Sequence, residues 1–372
     1  MLKAEARVIL SVALLVFLAV LVALLVSNRF DDETSTPSNP DEVRPLALAV
    51  LGDSDSHAYH DMVQIPASSN KRGGSFRAST YQWTEVLALL RPATIDLGPW
   101  GRWGTGITWA RISEVVGLPA RAPRKEDHRN NFALSGAECS DLLRGHWRQA
   151  YRLLALMDGD PGRWRGGVVV IRIGVNSFGM GDSLQRLAED PDDASAQAVI
   201  RSCIADIRAS VALIRASHPG TRFVLVGVLN NADWPKYFSR WQTGPEIANI
   251  GAGLDGFDKP LREWARSDPG MAFFDDREWF ASRWGSRGPE GQLAYRTLLF
   301  GGHFNVEHGS GDHPSHSVLG DGHAGAVWNA LWAQSLVELL NASFSAGIAP
   351  IRDSEIAGLL DPTGQLGIRK GN

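Results

Sequence analysis

Four short apolar runs set the fold: Leu46 to Leu51 (LALAVL), Val168 to Ile173 (VVVIRI), Phe223 to Leu229 (FVLVGVL) and Met271 to Phe274 (MAFF). Runs of this length, apolar at successive positions rather than alternate ones, are the pattern of strands covered on both faces, which points to a parallel sheet. Helical periodicity fills the gaps between them. Leu143, Trp147, Ala150, Leu154 and Met157 recur at helical spacing, as do Ile200, Ile204, Ile207, Val211 and Ile214. Strands joined by helices of this length make right-handed crossovers, so the pattern predicts an α/β chain folded as a three-layer α/β/α sandwich. A last helix, about Gly325 to Leu340, presents Trp328, Leu331, Trp332, Leu336 and Leu339 to the body.

The N-terminus carries a different signal. Val8 to Val26 is a run of nineteen residues without a charge, long enough as a helix to cross a hydrocarbon core of about 30 Å. Lys3 and Arg7 precede it, and Arg29 and then Asp31, Asp32 and Glu33 follow, a bias that places the N-terminus in the cytoplasm and the rest of the chain outside, in the periplasm or at the cell surface. The run is longer than a signal-peptide core, and no small-x-small cleavage site follows it, so an uncleaved single-pass anchor is expected. Residues 1–30 are thus read as the anchor. Residues 31–44, acidic and rich in Pro, Ser and Thr, form a flexible linker. A folded domain spans 45–341, and 342–372 is a C-terminal tail whose IAGLL stretch docks.

Apolar residues make up 44% and charged residues 21%, with a formal charge of −4; disorder is excluded, and there is no charge-driven attraction to nucleic acid. Cys139 and Cys203 are the only cysteines. One bridge can form in an oxidising compartment, but the sequence leaves the pairing open.

In an open parallel sheet the ligand crevice lies beyond the carboxyl ends of the strands. The turn after the first run reads Gly52-Asp53-Ser54-Asp55-Ser56, with a glycine to bend the chain and a hydroxyl exposed. A second loop, Asn131 to Ala137 (NFALSGA), has Gly136 with a backbone N–H able to face an oxyanion. A third, Gly174-Val175-Asn176-Ser177, sets an amide at a strand end. Each alone is a common turn. The stretch from Gly301 to His323 holds five of the ten histidines in 23 residues and is read as a loop. A histidine beside an aspartate can act as general base with its tautomer fixed by the carboxylate. Ester hydrolysis by serine needs a hydroxyl, a base, an acid and oxyanion donors together, and all four are present at strand ends.

Taken in order, GDS, NFALSGA, GVN and an Asp/His pair before the final helix make the chain resemble the SGNH (GDSL-type) hydrolases from about Leu46 to Leu340. The resemblance implies a flavodoxin-like, five-stranded parallel sheet and hydrolysis of esters of lipids, acylated carbohydrates or other small acyl compounds, with no metal or organic cofactor. It implies Ser54 as nucleophile, His323 as base, and an oxyanion hole from the N–H groups of Ser54 and Gly136 with the amide of Asn176. Two positions depart from the family pattern. Ser177 replaces the usual aspartate, removing one local hydrogen-bonding partner, and the position three before His323 is Gly320, so Asp321 at two before is paired with it instead. His313 with Asp312 is the alternative base and acid, and Asp312 can also serve His323 by folding back.

A zinc site in the histidine-rich stretch is the competing chemistry, but its spacings match no short metal motif. Trp100, Trp103 and Trp109 follow the LRPATIDLG segment, and Trp234, Trp241, Trp279 and Trp284 follow strand-like runs; aromatic faces at the site mouth would suit sugar rings or acyl chains. The expectation is a membrane-anchored, extracytoplasmic serine esterase acting on small-molecule or glycan esters. The alternatives are a cell-surface polysaccharide O-acyltransferase with the same residues, and a catalytically silent sugar-binding module.

Overall fold

The computed structural model describes residues 44–115 and 120–369. The apolar run Val8 to Val26 and the linker up to residue 43 lie outside them, and among the described residues no helix is long and apolar enough to cross a membrane.

In chain order the elements are β1 (Leu46–Gly52), α1 (Trp83–Leu90), β2 (Ile95–Asp96), β3 (Trp100–Trp103), α2 (Ile107–Val115), β4 (Lys125–His128), α3 (Gln149–Asp158) and β5 (Val168–Arg172). There follow α4 (Gly181–Glu189), α5 (Ala194–Ser217), β6 (Arg222–Val226), α6 (Gly244–Ser267), β7 (Met271–Phe274) and α7 (Asp276–Trp284). The chain closes with β8 (Leu298–Phe300), β9 (Phe304–Ser310), β10 (His316–Val318), α8 (Ala326–Phe344) and α9 (Asp353–Leu360). All four apolar runs are strands. The fifth strand of the main sheet, β2, is only two residues long and lies in a segment that the sequence did not mark as extended.

The main sheet is parallel throughout, in the order β2-β1-β5-β6-β7. Counted within the sheet alone this is 2-1-3-4-5, the flavodoxin-like order. Successive residues of the central strands go to opposite cores. Leu48, Val50, Val168, Val170, Val224 and Val226 join one cluster with α1, α7 and α8, while Ala49, Leu51, Val169, Ile171, Phe223 and Leu225 join another with α3, α4, α5 and α6. Both faces are therefore dry, which is why the strands read as unbroken apolar runs. Truncating a leucine buried in this way costs about 2–5 kcal/mol.

One sequence expectation changes here. The stretch from Gly301 to His323 is not an open loop: β9 pairs with β8 and β10 to form a small three-stranded sheet. The C-terminal segment docks through its IAGLL stretch: α9 buries Ile356, Ala357 and Leu360 in the core that also holds α8.

The strand order reverses at β1, whose neighbours are β2 and β5. A crevice forms at such a switch point, beyond the carboxyl ends of the strands. Ser54 follows β1 and Asn176 follows β5.

Candidate active site

The turns after β1 and β5, the NFALSGA stretch and the turn before α8 meet around one cavity of roughly 450 Å³, a normal size for a small-molecule site. Ser54, Gly136, Asn176, Asp321 and His323 all line it. His313 and Asp312 do not. His313 bonds Ser315 and packs edge-on against Phe76, and Asp312 accepts the N–H of Gly320 at 3.0 Å.

Ser54 is held by its backbone. Gly52 lies opposite Arg172 in the β1–β5 pairing, and a Cβ on Gly52 would sit 2.4 Å from the Arg172 carbonyl oxygen. Only glycine lets the strands stay paired up to the turn. The buried amide of Gln149 then brackets Gly52, accepting its N–H and donating to its carbonyl, both at 2.8 Å. Arg172, also in the cavity wall, donates to the Asp55 carbonyl at 2.9 Å and pairs with buried Asp276 at 2.9 Å.

The NFALSGA stretch runs alongside β1. Phe132 N–H donates to Val50 O at 2.8 Å, Leu134 N–H to Gly52 O at 3.1 Å, and the Asn131 amide to Ser56 O at 2.8 Å. Gly136 has φ +85°, with open space where a Cβ would be. What requires glycine there is the left-handed backbone and not a steric limit.

Asn176 donates one amide hydrogen to Ala137 O at 2.9 Å, which leaves the second for a ligand. Ser177 does not leave its loop short of a partner as expected: its hydroxyl accepts the Cys139 N–H at 2.9 Å. Cys139 is bridged to Cys203 on α5, with Cα atoms 5.0 Å apart. The pairing that the sequence left open thus anchors the segment just after Gly136 to a core helix.

His323 Nδ1 lies 3.2 Å from Asp321 Oδ1, and the Trp234 indole N–H donates to Gly322 O between them at 2.8 Å. The sequence reading missed Arg72, which is 4% exposed. Its backbone N–H and Nη1 both reach Asp321 Oδ2, at 3.1 and 2.6 Å. Nη1 is also 2.6 Å from His323 Nδ1, and Nη2 donates to Ser135 Oγ at 3.3 Å. Burial pushes the Asp321 carboxyl up, but its bond to His323 and the neighbouring Arg72 charge outweigh that and hold it well below its ordinary value. Arg72 has φ +60°, a conformation costing about 1–3 kcal/mol for a non-glycine residue unless its surroundings enforce it. Its three side-chain contacts supply that enforcement.

His57 and Asp61 were missed as well. His57 Nε2 bonds Asp61 Oδ2 at 2.8 Å, and Nδ1 faces Ser135 Oγ at 2.9 Å. Their signal in the sequence is an i, i+4 pair just after GDS.

The other histidines of the 301–323 stretch disperse. His303 bonds the Gly301 and Ile368 carbonyls, and buried His308 bonds the Ser317 hydroxyl and the Asp233 carbonyl. Among the described residues no three His, Cys, Asp or Glu converge as metal ligands do. Of the tryptophans, only Trp234 and Trp328 line the cavity; Trp279 and Trp284 are core, and Trp109 is 65% exposed on α2.

A solved extracellular lipase from Streptomyces rimosus is similar to this chain at 17% identity, over 63% of this chain and 82% of the lipase, with a TM-score of 0.35. None of the curated proteins matches. The model of the GDSL-like lipase/acylhydrolase family matches residues 101–307, a span that contains Gly136 and Asn176 and stops short of Ser54 and His323 at either end. With that match over more than half its length, the chain belongs to the GDSL-like lipase/acylhydrolase family and is an ester hydrolase.

Proposed function

We propose that the protein is a membrane-anchored, extracytoplasmic serine esterase that cleaves acyl esters, including O-acetyl esters of carbohydrates, through an acyl-enzyme on Ser54. The observation that carries this reading is that Ser54, His323, Asp321, Gly136 and Asn176, up to 269 positions apart in sequence, line a single cavity.

Ser54 Oγ attacks the ester carbonyl carbon while His323 Nε2 takes its proton. The N–H groups of Ser54 and Gly136 and the free amide hydrogen of Asn176 receive the oxyanion. The alcohol then leaves with the proton from His323, and water repeats the sequence to release the acid. This requires the tautomer with hydrogen on Nδ1, donating to Asp321. The Arg72 contact to Nδ1 requires the other tautomer, so in the working site the guanidinium keeps Asp321 and releases the ring.

The Cys139–Cys203 bridge supports an oxidising compartment, and the Val8 to Val26 run supports the anchor. Trp234 and Trp328 support stacking on a sugar ring or packing of an acyl chain.

Hydrolysis of p-nitrophenyl acetate by the full chain in detergent tests the reading. Ser54→Ala and His323→Ala, folded by circular dichroism, are each expected to lose on the order of 10³-fold in kcat, with His313→Ala unaffected. Full activity in Ser54→Ala sinks the assignment. Product analysis with and without added glycan then separates water from a sugar hydroxyl as acyl acceptor.

A further inference from the structure

The cavity wall carries a second hydroxyl, backed by a buried histidine and aspartate that do not themselves line the cavity. Ser135 lines the cavity next to Gly136. Its Oγ is 2.9 Å from His57 Nδ1, and its backbone N–H donates to the same nitrogen at 3.1 Å. Nδ1 is therefore an acceptor, its one lone pair shared between that N–H and the hydroxyl, and the ring hydrogen is on Nε2, where it donates to Asp61 Oδ2 at 2.8 Å. That is the tautomer a general base needs when it works through Nδ1.

Asp61 is fixed in turn. Its Oδ1 accepts the N–H groups of Val63, Gln64 and Glu126 at 2.8 to 3.0 Å, and although burial pushes its carboxyl up, these bonds and the one from His57 hold it below its ordinary value. Burial pushes the imidazole of His57 down, so it rests neutral. Arg72 Nη2 donates to Ser135 Oγ at 3.3 Å, setting a positive charge where an alkoxide would develop. No such chain of bonds reaches Ser54: among the described residues no hydrogen bond joins its hydroxyl to His323.

We infer that Ser135 is a second acyl-accepting hydroxyl of this cavity, with His57 as its general base and Asp61 as the group that orients that base. In the step, the Ser135 Oγ–H proton passes to His57 Nδ1 as Oγ bonds to the carbonyl carbon of an ester in the cavity. The bond from that carbon to the alcohol oxygen then breaks, and the alcohol leaves with the proton from Nδ1. The result is an acyl ester on Ser135 and a free alcohol. The inference shares its substrate class with the reading above but not its nucleophile.

An alkyl fluorophosphonate tests it, because the serine that attacks phosphorus and expels fluoride stays labelled and is located by peptide mass spectrometry. The full chain and its Ser54→Ala variant are treated alike. Label on Ser135 in Ser54→Ala is the expected result, with a rate falling at least 100-fold when His57→Asn is added. Asparagine can still accept the Ser135 N–H through its side-chain oxygen, so it keeps the loop tied while removing the base. Label on Ser135 that survives His57→Asn undiminished overturns the role given to His57, and label on Ser54 alone, with none on Ser135 in Ser54→Ala, overturns the inference while leaving the Ser54 reading intact. Label on Ser135 alone in the unmodified chain supports this inference and defeats the Ser54 reading. If neither serine is labelled, both fall.

Discussion

The side chains of His57 and Asp61 are 0% exposed, while those of His323 and Asp321 remain 23% and 13% exposed. The first pair is bonded end to end with its serine. The second pair is bonded internally at 3.2 Å but is crossed by Arg72, which touches the ring nitrogen that should face only the carboxylate. Burial makes each bond of the inner set stronger and fixes its tautomer, yet it also makes a buried imidazolium costly unless Asp61 compensates it. The outer set, closer to solvent, holds its geometry less firmly. Residue types in the right order thus identify the family set, whereas hydrogen bonds single out a different one. Arg72 reaches both through Asp321, His323 and Ser135.

The largest test of this contrast is whether the outer set acts as one unit. Combining Ser54→Ala with His323→Ala is expected to cost no more in kcat than either alone, about 10³-fold, because a base without its nucleophile contributes nothing further. A double variant slower than both singles by another factor of 10 or more would show that the residues act separately.

Next in size is the anchor beneath the inner set. The Cys139–Cys203 bridge closes a loop with a sequence separation of 64, for which the chain-entropy model gives about 4 kcal/mol. Cys139→Ser with Cys203→Ser is expected to lower the urea-unfolding free energy by about that amount. Because Cys139 follows Gly136 by three positions, the loss should also loosen the oxyanion segment and raise KM or lower kcat in the folded variant. A stability change below about 1 kcal/mol would mean that hydrogen bonds such as Cys139 N–H to Ser177 already fix the segment.

Legibility from the sequence followed the same divide. The strands were readable because burial on both faces leaves no polar position to interrupt them, and Ser54, Gly136 and Asn176 were readable because each sits at a strand or loop end that the fold turns into cavity wall. Strand β2, at two residues, offers no period to detect. The β8 to β10 sheet was hidden because β9, FNVEHGS, alternates buried and exposed positions with a histidine and a glutamate among them, and so looks like a polar loop. Arg72 was out of reach for another reason. Its partners lie 63 to 251 positions away, in a contact that no local pattern encodes.

Arg72 supplies the next test. Its guanidinium meets three atoms in different directions, which a planar fork can do and an ammonium cannot. Arg72→Met is expected to lower kcat about 100-fold, the usual cost of losing a group that orients catalytic residues, and Arg72→Lys should restore little of it. Recovery to within about twofold in Arg72→Lys would reduce its role to charge alone.

The smallest effect is a pH dependence of the buried set. Asp61, Lys125, Asp127 and Ser135 face His57, and burial holds its pKa below the unfolded value. As pH falls through the unfolded pKa of about 6.5, the unfolded chain takes up a proton that the folded chain refuses. Stability contributed by neutral His57 is therefore full above that pH and drains away below it. Between pH 7.5 and 5 the unfolding free energy of the unmodified chain should fall more steeply than that of His57→Asn. Groups that titrate in the same range but remain in both proteins, including His60 with its raised pKa, cancel in the difference. Equal slopes in the unmodified chain and His57→Asn would mean that His57 can hold a proton where it stands, and that the inner set is as open as the outer one.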